Sequence, residues 1–110
     1  MLTDVCQAAL RRGRFILGDA RSVRVRTGDM LFVDPPYHGT HGNYAAEGDV
    51  REVVDAVVRK SRGECWVTYG DGAPSVFPRY PWTRLCVRRV PNIRRGGVVE
   101  RTEWVAYLSG

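Results

Sequence analysis

Leu31-Phe32-Val33-Asp34-Pro35-Pro36-Tyr37 is the stretch on which the fold turns. With Met30 in front, it begins as an unbroken apolar run, too short for a helix. Such a run predicts a strand buried on both faces within a parallel sheet. The run ends at Asp34, because Pro35 and Pro36 lack the N–H that a ladder needs and hold φ near one value. A buried strand therefore delivers an acidic side chain, two stiffened carbonyls and an aromatic ring to one tight turn.

Outward from this turn the pattern alternates. His38–Gly48 is a Gly-rich loop. Val50–Arg62 reads as a helix, with Val50, Val53, Val54, Val57 and Val58 recurring at helical spacing, Asp49 and Glu52 as a capping box, and Gly63 as the stop. Cys65–Tyr69 reads as a second buried strand, closed by Gly70-Asp71-Gly72. Pro74–Pro81, broken by prolines, is a loop or a single helical turn. Thr83–Val90 and Val98–Leu108 alternate like strands around a Pro91–Gly97 hairpin loop. Upstream, residues 3–12 suit a short helix capped by Asp4, with Gln7 three residues on and Gly13 as its stop. Arg14–Leu17 suits a brief strand running into Gly18-Asp19-Ala20, and Arg21–Gly28 a loop or an edge strand. The expectation is a single α/β domain over residues 1–110, strand–helix–strand followed by an antiparallel hairpin.

The chain of 110 residues carries a formal net charge of +5, with 44% hydrophobic and 26% charged residues, close to ordinary globular usage. Lys60 is the only lysine, so the positive charge is nearly all arginine. Guanidinium forks suit phosphate, although arginine-rich codon usage produces the same bias. Arg79, Arg84, Arg88, Arg89, Arg94, Arg95 and Arg101 crowd the last third against only Glu100 and Glu103, as a nucleic-acid-facing edge would. No apolar run approaches the roughly 20 residues that span a bilayer, and Asp4 and Gln7 interrupt any leader, so a cytoplasmic protein away from membranes is expected. Cys6, Cys65 and Cys86 are odd in number and scattered, which predicts reduced thiols acting as small core residues. His38 and His41 lack a third ligand, so no metal site is expected. Trp66 and Trp104 lie in strands and read as core.

A carboxylate and a carbonyl beside an aromatic platform suit a planar base that carries an exocyclic amine. The acceptors orient the amine, and the ring offers a face for stacking, which contributes about 1–3 kcal/mol per base. Asp34-Pro35-Pro36-Tyr37 is similar to the DPPY motif of adenine-N6 methyltransferases, and its surroundings resemble the Dam-type DNA enzymes in particular. Phe15-Ile16-Leu17-Gly18-Asp19-Ala20 resembles the strand and acidic turn that precede the motif. The loop ending at Asn43-Tyr44 resembles the one that follows it, and Cys65-Trp66-Val67-Thr68-Tyr69 the next strand. Arg94-Arg95-Gly96-Gly97 and Arg101-Thr102-Glu103-Trp104-Val105 resemble the closing hairpin.

The resemblance implies a catalytic set of Asp34, Pro35, Pro36 and Tyr37. Asp34 and the Pro35 carbonyl would accept from the target N6 amine, and Tyr37 would stack on an adenine flipped out of DNA. It implies that Asp19 binds the adenine of S-adenosylmethionine, and that Asn43, Tyr44, Arg94 and Arg95 face DNA. The fold it implies is part of the Rossmann-like class I S-adenosylmethionine methyltransferase fold, without its first two strands. The family's Phe-x-Gly-x-Gly loop, its ribose-gripping acid and its DNA-reading insert have no counterpart here. The donor site is therefore expected to be completed by a partner chain or a homo-oligomer, and Phe15–Leu17 to pair with Met30–Val33 or leave a gap that another chain fills. The alternative is a catalytically inactive, truncated methyltransferase-like protein that binds nucleic acid or regulates a partner.

Overall fold

The computed structural model describes residues 7–8, 11–36 and 50–109. Its centre is a four-stranded mixed sheet of β1 (Leu31–Val33), β2 (Glu64–Tyr69), β3 (Trp82–Pro91) and β4 (Val98–Ser109), in the order β1-β2-β4-β3. β1 and β2 run parallel, with Phe32 opposite Trp66. Parallel neighbours need a crossover, and α1 (Val50–Arg59) supplies it. The hairpin returns through β4, which lies antiparallel to both β2 and β3, so β3 takes the far edge. A bulge at Leu85 shifts the β3–β4 register between Arg84 and Cys86.

The expected strand–helix–strand–hairpin order is therefore present, with the α/β class and the antiparallel end. One element differs. Arg14–Leu17 forms no strand; Phe15, Ile16 and Leu17 are 92%, 75% and 104% exposed. The outer edge of β1 accordingly has no strand beside it among the described residues. Three apolar residues supply too few ladder bonds to hold a strand to so short an edge. The stretch from Arg21 onward is a loop, one of its two expected readings, opened by a single 3-10 turn at Ala20–Ser22. Of the expected helix over 3–12, residues 7–8 and 11–12 are helical and the rest lies outside the described residues, as do Cys6 and the Asp49 half of the capping box.

α1 and a four-residue helical turn, α2 (Ala73–Val76), both pack on one face of the sheet. Period-two alternation sends Cys65, Val67 and Tyr69 of β2 and Ala106 of β4 to that face, where they close over Val54, Ala73 and Phe77. Tyr69 meets Phe77 edge to face at 5.3 Å, and the Trp82 Nε1–H donates to the Phe77 carbonyl at 2.8 Å. Gly63 has a packing reason, since a Cβ there would lie 3.0 Å from the Asp29 carbonyl oxygen. Cys65 is buried, which pushes its thiol pKa up, whereas Cys86 is exposed beside the bulge and is no core residue. Trp104 packs against the core as expected.

The opposite face carries no helix among the described residues. Phe32, Trp66 and Tyr107 form one cross-strand row on it, by the registers Phe32–Trp66 and Trp66–Tyr107. The Trp66 and Tyr107 rings lie 4.5 Å apart, while Phe32 stays 66% exposed and Tyr107 41%.

Candidate functional site

Asp34 follows the last residue of β1 and shares a parity with Phe32, so its carboxylate comes to the uncovered face. There the Thr68 hydroxyl of β2 donates to Asp34 Oδ1 at 2.8 Å. Oδ2 has no partner among the described residues and is open to a further N–H donor. Pro35 and Pro36 are half-buried behind it and keep the turn in place. The acceptor pair thus stands at the carboxyl end of a parallel pair of strands, the end at which open α/β sheets bind ligands. Thr68 is a member of this site that the sequence concealed. It read as one more residue of a buried strand, and only the β1–β2 pairing brings it to Asp34. Tyr37, Asn43 and Tyr44 lie outside the described residues, as do His38 and His41.

Asp19 is placed elsewhere. It caps the 3-10 turn, accepting from the Arg21 backbone N–H at 2.9 Å, and it holds the Arg21 guanidinium in a fork at 2.5–3.0 Å. These bonds from Arg21 lower its carboxyl pKa to about 2. The turn rests on the flank of α1, where the Lys60 ammonium donates to the Arg21 and Val23 carbonyls. Asp19 thus sits beside the carboxyl end of α1, whereas the Asp34 carboxylate lies on the face that α1 does not cover. The structure does not bring them into one pocket.

A cavity of about 500 Å³ lies on the helix side, lined in part by Arg51, Asp55, Arg59, Arg79 and Tyr80. The Tyr80 hydroxyl donates to Asp55 Oδ1, and burial, with that bond second, holds the phenol well above its ordinary pKa. Nothing in the sequence signalled this pair, because its members are 25 positions apart in unrelated elements. The cavity and Asp34 are on opposite faces, so they belong to different sites.

The hairpin makes a third feature. β2 pairs only with Trp104–Ser109 of β4, so the outer halves of β3 and β4 run on as a two-stranded arm. At about 3.4 Å per residue, Val98–Glu103 extend it by about 20 Å. Asp71 locks its base, accepting from the Thr102 N–H at 2.6 Å and from Arg101 Nη1 at 3.1 Å. Arg88 pairs with Glu103 at 2.7 Å and Arg89 with Glu100 at 3.8 Å. At the tip, Asn92 Oδ1 accepts from the Arg94 and Arg95 N–H groups, and Gly96 and Gly97 turn the chain at φ 73° and 77°. Both φ values are left-handed, which is why glycines occupy these positions. The Arg94 and Arg95 side chains are exposed and have no acidic partner among the described residues.

No group of three or more His, Cys, Asp or Glu side chains that could hold a metal ion occurs among the described residues. No described helix is long and apolar enough to cross a membrane. Compared with known proteins, the chain matches no family model, no curated protein and no solved structure.

Proposed function

We propose that this chain carries the target-base side of an adenine-N6 methyltransferase acting on DNA. Asp34 Oδ2 and the Pro35 carbonyl accept from the exocyclic amine of a flipped adenine, Pro36 stiffens the turn and Tyr37 stacks on the base. The observation that carries this reading is the Asp34-Pro35-Pro36 turn at the carboxyl end of the parallel pair, with Thr68 holding one carboxylate oxygen and leaving the other open. As an N6 amine becomes bonded to a methyl group its hydrogens grow more acidic, so fixed acceptors strengthen toward the transition state and aim the lone pair away from themselves. Losing one such preorganised partner typically costs about 10²–10³ in rate.

The residues present do not fit the methyl donor. Asp19 is committed to Arg21, and the sequence has no Phe-x-Gly-x-Gly loop of the kind that allows close approach to S-adenosylmethionine. The donor site is therefore assigned to a partner chain or a second copy that completes it. DNA is met by the arm, with Arg94 and Arg95 on phosphate and Asn43 and Tyr44 nearer the base. A second reading, a non-catalytic nucleic-acid-binding protein, is favoured by the same commitment of Asp19.

Radiolabelled methyl transfer to adenine-containing DNA decides between them, run on the chain alone and on the chain with the proteins that co-purify with it. Transfer in the second preparation, abolished by a folded Asp34→Ala variant, is the expected result. Equal transfer by parent and variant would overturn the assignment. DNA binding without transfer in either preparation would favour the second reading.

A further inference from the structure

We infer that the chain self-associates, the Phe15–Leu17 segment of one copy covering the Phe32–Trp66–Tyr107 row of the other. β1 and β2 are apolar at successive positions, Leu31-Phe32-Val33 and Cys65-Trp66-Val67, which is how strands buried on both faces are written. Only one face is covered by α1 and α2, and the aromatic row on the other stays open, with Phe32 66% exposed.

The chemistry of the occupant follows from charge. Around the row the cations are already matched, Arg88 by Glu103 and Arg101 by Asp71, so the face offers no free guanidinium to a phosphate backbone. An apolar protein segment suits it better than a nucleic acid. The chain displays such a segment in Phe15-Ile16-Leu17, whose three large side chains are nearly bare.

Exposure then selects a second copy. In the single chain Phe15, Ile16 and Leu17 and the Phe32 ring are all exposed, so the segment does not lie on its own face. Each copy offers both a segment and a face, so the contact closes with two-fold symmetry. An extended segment lays two of its three large side chains on one face, so at roughly 150 Å² each, with the exposed part of the row, the reciprocal contact buries on the order of 1,000 Å², the lower end of the range for specific dimers. The row adjoins Asp34 on the same face, but the inference rests on the exposure of row and segment and not on the methyltransferase reading.

Sedimentation equilibrium of the wild type from 5 to 200 µM tests it (roughly the window for a micromolar dimer). A dimer is expected, and Phe32→Glu and Leu17→Glu should each raise its Kd by about thirtyfold or more. Both positions are exposed in a single copy, so circular dichroism should confirm that the variants fold. Should either fail to fold, isotope-filtered NOEs from the Leu17 methyls to the Trp66 ring, in a mixed labelled and unlabelled wild-type sample, read the same contact directly. A wild type that remains monomeric, a dimer untouched by both variants, or no such NOE would overturn the proposal. So would quenching of tryptophan fluorescence by a single-stranded oligonucleotide that Phe32→Glu removes, since the face would then belong to a nucleic acid.

Discussion

On one side of the sheet Cys65, Val67, Tyr69 and Ala106 are sealed beneath α1 and the Ala73–Phe77 turn; on the other, Phe32 and Tyr107 remain in contact with water. The two sets alternate along the same strands and are about equally apolar, so composition does not separate them. What separates them is whether an element lies above. α1 arrives on the covered side because the β1–β2 crossover must lie on one face or the other, and its valine stripe then seals that face. The open face shows that an apolar residue on a strand specifies a need for cover without specifying its source. The same face carries the only acid of the candidate base site, Asp34.

The largest difference between the faces should appear on truncation. Tyr69→Ala opens a void under α1 and removes the edge contact with Phe77, at a cost of about 3–5 kcal/mol. Phe32→Ala, in conditions where the chain is monomeric, should cost less than about 1 kcal/mol, because most of that ring is already solvated. Urea unfolding of both variants measures the contrast. Equal losses would mean that Phe32 is buried in the folded chain after all.

A smaller effect distinguishes the bare face from the hairpin tip. The face has its arginines paired, whereas Arg94 and Arg95 do not, so any DNA affinity should reside at the tip. Replacing both with Ala should flatten the salt dependence of binding by up to about two units. Across a fourfold change in salt that amounts to about 1.6 kcal/mol. Titrations at 50 and 200 mM salt, the range over which phosphate contacts lose affinity most visibly, read it. An unchanged slope would move the phosphate contacts off the arm.

Next in size is Tyr80, which anchors the loop after α2 to α1. Tyr80→Phe forfeits the bond to Asp55, about 1–1.5 kcal/mol at neutral pH. Its pH dependence has a definite sign. Burial raises the folded pKa above the unfolded value of about 10, so the contribution is intact below that pH and is lost as pH rises beyond it. Wild-type stability should fall above about pH 10 more steeply than that of the Phe variant. Parallel curves would show that Tyr80 does not report the covered side.

How far these contrasts were legible in the sequence depends on the range of the interaction. The valine stripe of α1, the β1 and β2 runs and the hairpin were readable because each signal is local: a period, a Gly stop, an apolar run. The place of β4 between β2 and β3 was not, since nothing in a strand's own residues names its neighbour. Phe15–Leu17 misled for a related reason, being strand-like in composition yet lacking a long enough edge to join. Of the site, Asp34 and its prolines were legible as a strand-ending turn. Thr68 and Asp71 were not, because each acts on a residue some thirty positions away. Asp19 looked like a ligand-binding acid, and Arg21, two residues on, accounts for its carboxylate instead.

The smallest predicted change is the most informative about the site. Asp34→Ala removes an exposed carboxylate and one bond from Thr68, both on the face that carries no helix among the described residues. No buried donor is orphaned, because the Thr68 hydroxyl can turn to water, so stability should change by less than about 0.5 kcal/mol. For a chain of this size that is a shift of no more than about 2–3 °C in Tm. Thr68→Val should be as mild, and the double variant should differ little from either single one, since the two side chains share a single interaction. A purely structural turn predicts otherwise: a loss above about 1.5 kcal/mol on Asp34→Ala, with β1 and its pairing to β2 weakened together. Calorimetric melting of the three variants beside the wild type separates these outcomes. A large loss would mean that Asp34 is there to end a strand. A negligible one would leave an acid that the fold does not need, held by Thr68 through one oxygen, at the end of the sheet where a ligand would be met.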